Sequence, residues 1–72
     1  MEPVKTYSGA RLHEEPRSFY WQGAWRGVRE VKARWQSPDG LHFLVRDEKG
    51  GIFELSYHRG RDAWQVRPER AK

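Results

Sequence analysis

Residues 19–35 of this chain read FYWQGAWRGVREVKARW, and this stretch decides the fold. It holds three of the four tryptophans, and Gly23 divides it into two parts. Aromatic and β-branched residues favour strands over helices. The stretch therefore predicts two strands, at residues 18–22 and 25–35. The turn between them is predicted at Gly23-Ala24 as type II′, because that turn takes glycine at its first central position.

The second of these strands does not alternate regularly between apolar and polar residues. Val28 lies at an even-numbered position, like the charged Glu30 and Lys32. The later apolar residues, Val31, Ala33 and Trp35, lie at odd-numbered positions. A β-bulge near Arg29-Glu30 would bring all the apolar residues onto one face. A helix over residues 27–35 is the alternative, because Val28, Val31 and Trp35 recur at helical spacing. We favour the bulged strand, because tryptophan, valine and a nearby glycine suit a sheet better.

Further strands are predicted on both sides of this stretch, separated by turns rich in glycine, proline and aspartate. They cover residues 4–7, 41–46, 52–58 and 63–67. Short strands at regular spacing predict an all-β domain, a small antiparallel meander of five to six strands rolled into a partly open SH3-like barrel. Residues 1–67 are expected to form this single β-barrel-like domain, and the charged residues 68–72 a flexible tail. The predicted core residues are Phe19, Trp21, Leu41, Phe43, Val45, Phe53, Leu55, Tyr57, Trp64 and Val66.

Composition restricts the class of protein and its partners. The chain has 72 residues and no cysteine, so it forms one small domain without disulfides. Its 14 basic and 10 acidic residues give a net charge of +4, which favours phosphate or acidic partners. The polar N-terminus does not resemble a signal peptide, and no segment approaches the roughly 20 apolar residues of a membrane span. We therefore expect a cytoplasmic protein with no membrane partner.

Three short patterns resemble a known family. They are F-x-W-x-G at residues 19–23, V-x-E-V-x-x-x-W at 28–35 and F-E-L-x-Y at 53–57, followed by Trp64. Over residues 16–67 the chain resembles a small bacterial domain family of unknown function, found as stand-alone proteins and fused behind error-prone, Y-family-polymerase-like mutagenesis proteins. It departs from the family at Lys32, where an aliphatic residue is expected, and in its short 37–40 turn. The resemblance implies no site residue, only a place near DNA-damage tolerance.

No pattern in the sequence indicates catalysis or a bound metal. His13, His42 and His58 are far apart and lack metal-ligand spacing. None of the serines lies in a nucleophile elbow, and Gly50-Gly51 is not followed by the helix that a phosphate-binding loop needs. His42 and His58 are expected on the outer face of the sheet. We therefore expect no enzyme, no cofactor, no metal and no small-molecule substrate.

The basic residues of the long strand form the candidate site. With one bulge, Arg29 or Arg26 would share an exposed side with Lys32 and Arg34, beside an aromatic residue across the hairpin. Cations interleaved with stacking aromatics suit single-stranded nucleic acid, because they bind phosphates and bases together. We therefore expect a small binding module that associates with nucleic acid through Tyr20, Trp25, Arg26, Arg29, Lys32 and Arg34.

Two alternatives remain open at this point. The basic side chains could form a solvated outer face, with Glu30 and Glu54 as cross-strand partners. The domain could instead bind a protein, or a second copy of itself, through an unpaired sheet edge or a tryptophan surface. Trp25, next to the turn, is expected to be exposed, and Trp35 is expected to cover the open end of the barrel.

Overall fold

The structure is a computed structural model that describes residues 3–6 and 15–69, and these form six antiparallel strands. The strands are β1 (Val4–Thr6), β2 (Pro16–Trp21), β3 (Ala24–Ser37), β4 (Gly40–Asp47), β5 (Ile52–His58) and β6 (Ala63–Pro68). Each strand pairs with the next in chain order. The end strands β1 and β6 do not pair with each other in the described part of the chain, so the nearly closed barrel has one unsealed seam. Across this seam β6 contacts β1 and β2.

The predicted all-β class, the meander and the partly open barrel are confirmed. The strand bounds differ from the prediction by one or two residues at most ends. β6 reaches Pro68, the first residue of the predicted tail, and the Glu69 N–H donates to the Ile52 carbonyl at 2.8 Å. Tyr7, the predicted end of the first strand, and residues 70–72 lie outside the described residues.

Apolar side chains from all six strands meet inside the barrel. Phe19 has no exposed surface, and its ring lies 4.8 Å from that of Phe53, measured between centroids. Because each buried aromatic removes roughly 150–250 Å² from water, a few of them can sustain so small a domain. The buried core consists of Val4, Phe19, Leu41, Phe43, Val45, Phe53 and Leu55, with Trp21, Val28, Val31, Tyr57, Trp64 and Val66 partly buried against it.

The β2–β3 turn differs from its prediction. Trp21 and Ala24 are the last pair of the hairpin, so Gln22 and Gly23 are the central residues. Both have positive φ, 52° and 84°, as type I′ turns require. The predicted type II′ turn at Gly23-Ala24 is wrong by one residue. The type I′ twist matches that of the flanking strands, and Gly23 takes one of the two left-handed positions without strain.

Two β-bulges, at Arg29 and at Lys32, interrupt β3 where one was predicted. The alternative helix over residues 27–35 is wrong. The first bulge aligns Val31 with the buried Val45. The second reverses the pattern and pairs Trp35 with His42 on the outer face, so the apolar residues of β3 do not all share one side. Trp35 therefore does not cover the barrel end as expected.

Candidate nucleic-acid interface

An exposed aromatic pair lies on the outer face of the β2–β3 hairpin. Tyr20 and Trp25 are directly opposite in register, with ring centroids 5.5 Å apart and planes at 69°. Trp25 is 41% exposed, as expected for its place beside the turn. The Lys5 ammonium, from β1, lies 4.6 Å from the centroid of the Trp25 ring, which is within cation–π range. The hairpin therefore presents a tryptophan flanked by an aromatic ring and a cation.

Arg26 faces the opposite side of the sheet from Trp25. Its partner in register is the buried Phe19, and its Nη1 donates to Asp47 Oδ2 at 3.1 Å. The guanidinium carbon also lies 5.8 Å from the Phe53 ring centroid. Arg26 is therefore part of the barrel wall and does not join Trp25 on one exposed face.

Asp47 organises this interior site, although the sequence suggested only a loop residue. Its carboxylate is 1% exposed, and Oδ1 accepts the backbone N–H groups of Lys49 at 2.9 Å and Gly51 at 2.7 Å. Burial alone raises the pKa of Asp47, but the bonds from Gly51, Arg26 and Lys49 outweigh it and hold that pKa below its usual range. An aspartate that begins a glycine-rich turn often bonds to the amides that follow it, and this signal could have identified the site.

The other basic residues of β3 fall into two groups. Arg29 and Lys32 are the bulge residues, both are exposed, and neither side chain bonds to another in residues 3–6 and 15–69. Arg34 lies opposite the buried Phe43 in register and forms an ion pair with Glu15. The structure therefore does not place the four predicted cations on one face, because the second bulge turns Arg34 to the inner side.

His42 lies on the outer face, as expected, at the centre of a polar cluster that sequence reasoning missed. Its Nε2 is hydrogen-bonded to Ser37 Oγ at 2.8 Å. Its Nδ1 lies 3.3 Å from Glu54 Oε2 and 3.1 Å from Ser56 Oγ. The ring of Trp35 stacks on the imidazole, with centroids 5.3 Å apart and planes within 6°. These bonds fix the imidazole, and the imidazole in turn fixes Trp35, which is 43% exposed.

Ser37 and Glu54 contact the two ring nitrogens of His42, and a serine and a carboxylate contact the histidine of a charge-relay triad in the same way. Two contacts favour a positioning role for the cluster. The Ser37 hydroxyl also accepts the Asp39 N–H at 3.3 Å, and Trp35 covers one face of the imidazole. We therefore interpret the cluster as the support that holds Trp35 in a fixed orientation.

No group of three or more metal-ligating side chains occurs within the described ranges. Nor does the described part of the chain contain a helix with the length and apolar character of a membrane span. In comparisons with known proteins, no family model, no curated protein and no solved structure matches this chain. The family resemblance carried by residues 16–67 therefore stays a prediction.

Proposed function

We propose that this domain is a binding module that associates with single-stranded nucleic acid through the outer face of the β2–β3 hairpin. The observation that carries the proposal is the exposed Trp25 ring, with Tyr20 edge-on beside it and the Lys5 ammonium over it. An exposed ring of this kind can stack on a base, and neighbouring cations can neutralise the adjoining phosphates. Trp25 and Tyr20 supply the stacking surface, and Lys5, Arg29 and Lys32 supply the charge.

The partners of the nearby acids leave two cations of β3 for the proposed interface. Glu30 accepts a hydrogen bond from Arg46 Nε at 3.2 Å, and Glu54 lies 3.3 Å from His42 Nδ1. Both acids therefore have cross-strand partners, as the solvated-face alternative expects, but neither partner is Arg29 or Lys32. The two bulge cations thus remain available to an external anion, and the net charge of +4 attracts one.

The interaction would act by phosphate neutralisation and stacking, with little readout of base identity. Arg29 follows Trp25 by four residues, or about 13 Å of extended strand, so phosphates on either side of a stacked base could be contacted. The domain would act by binding, without chemistry of its own. Such a module suits the place near bacterial DNA-damage tolerance that the sequence resemblance implies, and the cytoplasm that the polar N-terminus predicts.

Binding of a labelled oligothymidine of about 20 nucleotides, followed by fluorescence anisotropy between about 50 and 200 mM salt, tests the proposal. The wild-type affinity should fall steeply with salt. Trp25→Ala should weaken binding by about 5- to 150-fold, since one stacked base contributes about 1–3 kcal/mol. Replacing Arg29 and Lys32 by glutamine should reduce the salt slope by about 1.4, because each phosphate contact on a single strand contributes about 0.7.

A matched control distinguishes a defined interface from overall charge. Arg59 and Arg61 are exposed residues of the β5–β6 turn. The Arg59 N–H donates to the Asp39 carbonyl in the β3–β4 turn, at the far end of β3 from Trp25. Replacing both arginines by glutamine also removes two positive charges. This control should keep the wild-type salt slope. Equal losses in the two double variants, or no binding at the lowest salt, would rule out the proposed interface. Circular dichroism of each variant checks that the fold is intact.

A further inference from the structure

We propose that the free edge of β3 at residues 33–37 is a docking site for an extended, acidic segment of another protein, which adds to the sheet as a strand. β2 pairs with β3 only as far as Gly27, and β4 pairs with the opposite edge over residues 28–37. The edge that faces away from β4 therefore has no strand partner within the described residues. Unpaired N–H and C=O groups along an edge are the bonding surface for strand addition.

The two bulges define which part of this edge can accept a strand. Arg29 and Lys32 each interrupt the regular pairing of β3, and bulges of this kind obstruct edge-to-edge association. Beyond Lys32 the register against β4 runs without a shift from Ala33 to Ser37. The regular edge is thus five residues long, which suits a short peptide segment.

A recess of about 530 Å³ adjoins this edge. Its walls combine a cation and an amide from β3 with apolar and aromatic surface from β3 and β4. An added strand would place alternate side chains on the two faces of the sheet, so one set would lie on the side of Arg34 and the other on the side of Trp35, and both of these residues line the recess. The residues that line the recess are Arg34, Trp35, Gln36, Leu41, His42 and Phe43.

Charge along the edge selects an acidic partner and disfavours a second copy of this chain. Antiparallel pairing of two copies over residues 33–37 would place Arg34 opposite Gln36, and this edge contains no acidic residue. A second copy would therefore offer Arg34 no carboxylate, whereas an acidic strand would add an opposite-charge pair. Arg34 already binds one carboxylate, that of Glu15, which precedes β2. A partner's carboxylate at the same guanidinium would compete with Glu15 and gain a similar ion pair.

Trp35 supplies an anchor whose orientation is already set. It is 43% exposed and stacks on an imidazole held by Ser37 and Glu54. A rigid, exposed tryptophan loses little conformational entropy on binding and is a common hot spot of protein interfaces. The docking site therefore combines a free edge, a fixed aromatic ring and a cation.

The test uses the full chain and a synthetic peptide of about eight residues that alternates glutamate and valine. The protein is titrated with the peptide, and its amide chemical shifts are measured. The amides of residues 33–37 should shift first, and binding should protect some of them from hydrogen exchange. An N-methylated version of the peptide, which cannot form the strand hydrogen bonds, and a lysine–valine version should both bind at least tenfold more weakly.

Three variants separate specific competition at Arg34 from overall charge. Arg34→Gln should weaken peptide binding several-fold, whereas Glu15→Gln should strengthen it, because it removes the competing carboxylate. Glu69→Gln changes the net charge as Glu15→Gln does, at the end of β6, and should leave the affinity unchanged. Trp35→Ala should weaken binding while Trp25→Ala does not, which keeps this site distinct from the proposed nucleic-acid interface.

Several outcomes would overturn the proposal. They are equal binding of the N-methylated peptide, unperturbed amides at residues 33–37, or strong exchange protection of those amides in the free protein. Sedimentation that shows a dimer disrupted by changes at this edge would assign it to a second copy. Perturbation of the same amides by oligothymidine and not by the peptide would assign the edge to nucleic acid.

Discussion

Asp47→Ala should lower the free energy of unfolding by about 3–5 kcal/mol, because it leaves the Arg26 guanidinium and two backbone amides without their acceptor in the barrel wall. A domain of this size has only about 3–5 kcal/mol of net stability. The variant should therefore be largely unfolded at 25 °C. Urea denaturation followed by tryptophan fluorescence measures the loss.

An exposed aspartate provides the matched control. Asp39, in the β3–β4 turn, is exposed, and Asp39→Ala should change stability by no more than about 0.5 kcal/mol. If Asp47→Ala and Asp39→Ala have the same denaturation midpoint, then the Asp47 carboxylate is not held in the wall as described.

The pH dependence of stability follows from the same contacts. The pKa of Asp47 in the fold lies below its usual value of about 3.9. The stability that the Asp47 carboxylate contributes is therefore complete above the usual pKa of an aspartate, and it is lost as the pH falls through the lower pKa of the folded state. The wild-type urea midpoint should fall as the pH drops below about 4. Asp47→Asn, which cannot ionise, should begin with a lower midpoint and show a shallower fall over that range.

Gly40→Ala should destabilise the protein by about 3 kcal/mol or more, because no space exists for a side chain at this point. A Cβ atom on Gly40 would overlap the Tyr57 carbonyl oxygen and lie 2.9 Å from the carbonyl carbon, both backbone atoms of β5. Backbone cannot rotate aside as a side chain can, so β4 and β5 would have to separate at the Gly40–His58 pair. Thermal and urea denaturation measure the effect.

Gly60→Ala is the control for this substitution. Gly60 has an ordinary backbone conformation, and a Cβ atom there would lie 3.6 Å from His58 Cε1, which is normal van der Waals contact. Alanine should be neutral or stabilising by up to about 1 kcal/mol, because it restricts the unfolded chain. Should Gly40→Ala denature at the same urea concentration as Gly60→Ala, the close approach of β4 and β5 would be contradicted.

Most of the fold could be predicted from local pattern. β4 and β5 alternate with period two, so their buried residues, among them Phe43 and Leu55, follow directly from the sequence. The second bulge of β3 could not be predicted this way. It places Trp35 outside, where His42 from β4 stacks on it. That contact depends on strand register, which a residue's immediate neighbours do not encode.

The candidate site was predictable only in part, for a similar reason. A tryptophan beside a hairpin turn has little to pack against, and Trp25 is exposed as expected. Arg26 was expected outside because of its charge, but its partner Asp47 lies 21 residues later, and pattern within a strand cannot reveal a neutralising partner so far away. The contact of Lys5 with Trp25 could not be predicted either, because it reaches from β1 across β2 to β3 and joins residues far apart in the sequence.

The strictly sequential strand order has a consequence for how the chain folds. Because every strand pairs with its neighbour in sequence, each step of sheet growth closes a short loop and loses little chain entropy. Contacts that join distant parts of the chain are the approach of β6 to β1 and β2 and the packing of Phe53 on Phe19 in the core. Such a topology has a low contact order for an all-β protein, and its folding rate should lie toward the fast end of that class. The last event should be closure across the seam, after the hairpins that surround the core have formed.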